Sequence, residues 1–74
     1  MDYQKLNEML ADEYEDVVSY MELFRKTDNS IFHDIAKEEM VHAKHLTDIL
    51  ESAGELKDVG KVREQAIKAL ERNE

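Results

Sequence analysis

Phe32-His33-Asp34-Ile35-Ala36-Lys37-Glu38-Glu39-Met40-Val41-His42-Ala43-Lys44-His45-Leu46 is the run that decides the fold. Phe32, Ile35, Glu39, His42, Leu46, Ile49 and Ala53 alternate three and four apart, the spacing of a helix seam that packs on another helix. Glu39 and His42 take two consecutive positions in that seam, as a Glu-x-x-His pair. Burying a carboxylate and an imidazole side by side is costly unless something pairs with them. Both side chains are good metal ligands, so a metal ion is the most economical partner. The expectation is a metal-binding helical protein with Glu39 and His42 as ligands.

Working outward, the first helix is expected over about residues 3–26. Its seam is Leu6, Leu10, Glu13, Val17, Tyr20 and Phe24, apolar or aromatic everywhere except Glu13. Tyr14, Val18 and Met21 form a second stripe, so the apolar face is wider than one partner covers. Thr27-Asp28-Asn29-Ser30 favours a turn and an N-cap, and so short a connection makes an antiparallel hairpin. The second helix is expected over about 31–53, with Ala36, Met40, Ala43 and Leu50 beside its seam. Gly54 is placed to end it, and Leu56 to make the apolar contact that accompanies such caps. A short third helix over about 58–72 carries Val59, Val62, Ala66, Ala69 and Leu70 on one side, with Gly60 weakening its first turn.

Composition bounds the rest. Seventy-four residues make one small domain (1–74), which needs a metal, disulfides or self-association to be stable. There is no cysteine, which excludes disulfides and thiolate metal sites. There is no proline, and Ala, Leu, Glu and Lys are abundant, as an all-α chain requires. Acidic residues outnumber basic ones 18 to 10, which argues against nucleic acid and anionic membrane and favours cations. The N-terminal residues lack the apolar run of a signal peptide, and no segment suits a bilayer. A soluble, cytoplasmic protein is expected.

Folding the hairpin about residue 28 puts Glu13 fifteen residues before the bend and Glu39 and His42 eleven and fourteen after it. At about 1.5 Å of rise per residue, all three fall within one helical turn of the same level. Four-helix carboxylate-bridged di-metal proteins use one Glu from each of two helices and a Glu-x-x-His from each of the other two. This chain supplies half of that set. Two copies about a twofold axis complete it and cover the seams that a lone hairpin leaves open. A polar seam residue can also merely set register. Glu-x-x-His alone is common by chance on charged helices, but three residues of ligand type in one layer favour metal. Asp12, Glu15 and Asp16 read most simply as a solvated face. His33 and His45 fall off the seam and are expected to be exposed, Glu38 ranks below Glu39, and Met9, Met21 and Met40 read as packing residues.

The pattern Glu13…Tyr20…Glu39-x-x-His42 resembles the ferritin-like superfamily, which includes rubrerythrins and bacterioferritins. Over residues 5–53 the chain is most similar to the encapsulated ferritins, whose subunit is also a two-helix hairpin plus a short helix. The resemblance implies a ferritin-like four-helix bundle formed by dimerisation, in a homodimer or a larger even-numbered homo-oligomer. It implies a di-iron ferroxidase centre completed at the subunit interface, and an encapsulin shell as partner and location. Tyr20, seven residues after Glu13, matches the family's tyrosine, and Asp12 and Glu15 match positions that attract metal near the site's entrance. Two features depart from the family: the interhelical connection is shorter, and these 74 residues show no extension carrying an encapsulin-targeting peptide.

Oxygen-rich ligands with one imidazole per metal suit iron or Mn(II), and Zn(II) is also admitted. The expected chemistry is oxidation of Fe(II) to Fe(III) by O2. Glu39 would bridge, Glu13 and His42 would be terminal ligands, and Tyr20 would orient a carboxylate by a hydrogen bond. The competing reading is an acidic helical oligomeric interaction module whose metal is structural or absent. A rubrerythrin-like peroxide- or oxygen-reducing role is disfavoured, because a rubredoxin-type centre needs cysteine.

Overall fold

The computed structural model describes residues 1–71. It contains three helices: α1 over Tyr3–Thr27, α2 over Ser30–Ala53 and α3 over Gly60–Glu71. No strand occurs among the described residues. The all-α expectation holds, and the first two helices agree with the expected spans to within one residue at each end. The third begins two residues later than expected, and its expected last residue, Arg72, lies outside the described residues.

Local chemistry explains each boundary. Asp2 caps α1, its side chain accepting from the Lys5 amide at 3.0 Å. Asp28 closes α1 in the left-handed region (φ 57°), its amide donating to the Phe24 carbonyl at 2.7 Å. Asp and Asn tolerate that conformation better than other side-chain-bearing residues. Asn29 then caps α2 by accepting from the Ile31 amide at 3.1 Å. Two residues thus reverse the chain, and α1 and α2 pack as a hairpin. Gly54 (φ 69°) ends α2, and the Glu55 amide donates back to the Leu50 carbonyl at 2.9 Å. That is the Schellman pattern, and glycine is the residue it favours. Leu56 is still 38% exposed, so its expected cap contact does not bury it.

The core is built around α1. Asn7, Leu10, Tyr14, Val17 and Met21 repeat three and four apart and are all buried. Opposite them, α2 buries Ala36, Ala43 and Leu50, seven apart, and α3 buries Ala66 and Ala69. Large side chains on α1 therefore meet mostly alanine, which lets both neighbours approach closely. Complete burial of a residue such as Leu10 or Leu50 contributes about 1.5–3 kcal/mol. α3 packs on α1 and scarcely touches α2. Asn7 sets that arrangement: its Nδ2 donates to the Tyr3 and Glu55 carbonyls at 2.8 and 3.0 Å, and its Oδ1 accepts from the Lys57 amide at 2.9 Å. The linker after α2 is thereby tied to α1, and α3 starts where it can lie along α1.

One expectation about the core is corrected. The expected seam of α2 is not its buried stripe, which lies one step round the helix at Ala36, Ala43 and Leu50. Phe32, Ile35, Glu39 and Leu46 are half-buried, and His42, Ile49 and Ala53 are exposed. The physical reason is the alanines. Two helices approach most closely where side chains are smallest, so the contact line runs through Ala36 and Ala43 and the bulkier stripe is left at the flank. On α1 the same rotation buries Tyr14 and Met21 and leaves Glu13, Tyr20 and Phe24 half-buried.

Candidate metal centre

Helix α1 presents Glu13 on the flank of the hairpin, and α2 presents Glu39 and His42, one turn apart, at the same level. His42 Nδ1 lies 3.0 Å from Glu13 Oε2 and 3.3 Å from Glu39 Oε1. One ligand atom from each residue can be chosen so that all three lie within 4.8 Å of one another. The sequence expectation that Glu13, Glu39 and His42 share one layer is met by this geometry. Their burial is uneven. The Glu13 and Glu39 side chains are 20% and 16% exposed, whereas that of His42 is 58% exposed. The expectation of a ligand pair at core positions is therefore corrected: within one chain the group opens to the surface.

Electrostatics at the site favour a cation. Burial pushes the Glu39 carboxyl above its usual value, the Glu13 charge pushes it further, and so does a hydrogen bond with Asp16; His42 pulls it back. Two carboxylates, Glu13 and Glu39, thus converge on the His42 imidazole, and Asp16 acts on Glu39. A hydrogen bond between Asp16 and Glu39 favours the protonated form of Glu39, because two ionised carboxylates cannot donate to each other.

The donor set fits a hard divalent ion. Two ligand atoms held at about 2.1 Å from one ion, at right angles, lie about 3.0 Å apart. The two His42 distances are close to that separation, so an ion and a shared proton are interchangeable occupants of the space between these atoms. The ligand types suit iron, manganese and zinc, and no soft donor is present to favour copper(I).

The other singled-out residues divide. Tyr20 is half-buried and its ring stacks on Phe32 at 6.3 Å between centroids. It makes no hydrogen bond to Glu13 or Glu39 within the described residues, so the expected orienting bond is not formed inside one chain. Asp12 and Glu15 are exposed. Glu38 and His45 are exposed as expected, but His33 is half-buried against Phe24, with ring centroids 5.2 Å apart. Met21 and Met40 pack in or against the core, whereas Met9 is 43% exposed and does not. Asp16 is the residue that sequence reasoning undervalued. Its spacing held the signal: Glu13-x-x-Asp16 on α1 mirrors Glu39-x-x-His42 on α2, and each pair spans one turn on one face.

Comparison with protein-family models, curated proteins and solved structures finds no match to this chain. No helix among the described residues is long and apolar enough to cross a membrane.

Proposed function

We propose that the chain is an iron-oxidising, ferritin-like half-site protein: two copies meet across the Glu13–Glu39–His42 flank and bind two Fe(II) ions between them. The observation that carries this reading is the convergence of three ligand side chains on a flank where apolar neighbours are left half-covered. Ile35 and Leu46 are half-buried beside the group, and Ile49 is 44% exposed. A second copy would cover these residues and bring a second set of two carboxylates and one imidazole. Closing the interface would also exclude water from the exposed face of His42.

Fe(II) is the substrate. Each of two Fe(II) ions gives up one electron. One O2 takes both electrons and two protons and leaves as H2O2, and the products are two Fe(III) ions. The chain's residues supply charge and geometry. Four carboxylates, two per copy, neutralise the added positive charge of Fe(III) and so favour the oxidised product. Glu39 is influenced by both Glu13 and Asp16 and is the candidate bridge, with Glu13 and His42 as terminal ligands. Asp16 beside Glu39 favours the protonated form of Glu39, so a metal there competes with a proton. Tyr20 contributes only if the partner's carboxylates come within reach of its hydroxyl. Location in an encapsulin shell is part of the same proposal and rests on the sequence resemblance alone.

Native mass spectrometry of the metal-free protein, before and after anaerobic Fe(II), tests this reading. Two irons per pair of chains in an even-numbered oligomer, followed by O2 uptake on aeration, are expected. A monomer, or an oligomer that takes up no iron, leaves the acidic interaction module as the function. Iron that binds without O2 uptake makes the metal structural.

A further inference from the structure

The opposite flank of the hairpin holds a second feature that the metal centre does not use. Because α3 lies on α1 and scarcely touches α2, a groove of about 1060 Å³ opens between α2 and α3. Its floor is apolar: Tyr14, Met40, Ile67 and Leu70 all line it. Val41 and Leu56, also in its wall, are 52% and 38% exposed and extend the apolar surface to the mouth of the groove. None of Glu13, Glu39 and His42 lines it.

The rim has a charge unlike the rest of the molecule. Lys37, Lys44, Lys57 and Arg63 are four of the chain's ten basic residues, and they stand here with only three of its eighteen acidic ones. Lys44 is paired with Asp48 at 3.2 Å, so Lys37, Lys57 and Arg63 give the rim a slight positive balance on a molecule of net charge −8. Charges within a Debye length of about 8 Å dominate what a seated ligand feels.

We infer that this groove is a docking site for one amphipathic helix of a partner protein, with an apolar stripe facing Val41, Leu56 and Ile67 and acidic residues on both flanks facing Lys37 and Arg63. The geometry selects a helix. The groove is walled by two helices that both pack on α1, so a fourth helix laid between them completes a four-helix arrangement. The α2 wall runs from Lys37 to Glu51, about 21 Å at 1.5 Å per residue, which matches a helix of about 14 residues. A second copy of this chain is a poorer occupant, because a symmetric pair joined through this groove would bring Lys37, Lys57 and Arg63 of both copies together.

The test is binding of two synthetic helix-forming peptides to the full chain, followed by fluorescence anisotropy. Both carry leucine at i, i+4, i+7 and i+11; one has glutamate on its flanks and the other lysine. The glutamate peptide is expected to bind at least tenfold tighter, and its affinity should fall as salt rises. Val41→Asp should weaken it at least tenfold, with the helical circular dichroism signal unchanged because Val41 is a surface residue. The double variant Lys37→Glu/Arg63→Glu should reverse the preference toward the lysine peptide with the helical circular dichroism signal unchanged. Equal binding of both peptides, no binding, or indifference to Val41→Asp overturns the inference. So does a sedimentation experiment in which the chain self-associates and Val41→Asp returns it to a smaller species, since a second copy then fills the groove. The metal reading does not enter these outcomes, so either can fail alone.

Discussion

Two stripes of the same hairpin, one step apart round each helix, have opposite fates. The inner stripe, Leu10, Tyr14, Val17 and Met21 against Ala36, Ala43 and Leu50, is buried within one chain. The outer stripe, Glu13, Tyr20 and Phe24 against Phe32, Ile35, Glu39, His42 and Leu46, is half-covered at best. Both follow the same three-and-four periodicity, so periodicity does not separate them. Side-chain size does. Alanine draws the helix axes together along the inner stripe, and the bulkier stripe is pushed to the rim. A chain organised this way stabilises itself with one stripe and leaves the other half-covered.

Substitutions that act on one stripe and spare the other would break this division if it is wrong. The largest effect is expected at Glu39. Glu39→Ala should lower Fe(II) affinity by at least a hundredfold, about 2.8 kcal/mol or more at 1.4 kcal/mol per decade, read by anaerobic titration. Unchanged metal content with raised stability would make Glu39 a register device instead. On the inner stripe, Leu50→Ala should cost about 2–5 kcal/mol in urea unfolding of the metal-free chain. Its metal stoichiometry should be kept under conditions where the variant is folded. Asn7→Ala should cost about 1–3 kcal/mol, because the Lys57 amide and the Glu55 carbonyl lose their partner. Loss of amide protection concentrated at residues 55–60 in hydrogen exchange would confirm that Asn7 anchors α3.

The smallest effect sharpens the comparison most. Folding raises the pKa of Glu39, through burial first and then Glu13 and Asp16. A carboxyl raised in this way favours the folded state when protonated. That contribution is complete below the carboxylate's unfolded value and is lost as pH rises through the raised folded value. The ionised form of Glu39 is therefore the disfavoured one in the metal-free fold. Glu39→Gln, which mimics the protonated form, should raise its melting temperature by a few degrees at pH 7, with the difference vanishing in acid. Metal binding should show the opposite trend in the unsubstituted protein, weakening in acid as protons compete with the metal for its ligand atoms. A melting curve for Glu39→Gln that is lower than the parent's at pH 7 would mean that Glu39 stabilises the chain without metal.

Much of the site was legible in the sequence for a simple reason. Ligand types in an apolar pattern are conspicuous, and a hairpin with a short turn converts sequence distance from the bend into height along the axis. That arithmetic brought Glu13, Glu39 and His42 to one level. It could not rank the stripes, so the ligands were expected in the core and are found on the flank. Asp16 was read as solvated because a single carboxylate beside a run of acids carries no mark; its contact with Glu39 exists only once two helices are packed at a particular rotation.

The sequence by itself determined three helices, their caps and a two-residue reversal, because these depend on backbone chemistry within a few residues: Asp2 and Asn29 as N-caps, Asp28 and Gly54 as left-handed stops. It also determined the ligand types and their level. Only the tertiary structure decided which stripe is buried, where α3 lies and which surfaces remain open. Those outcomes depend on how closely two helices approach and on long-range bonds such as those of Asn7 to residues 55 and 57. Distances of that kind are set by the sum of many side-chain volumes across an interface, which no local pattern encodes.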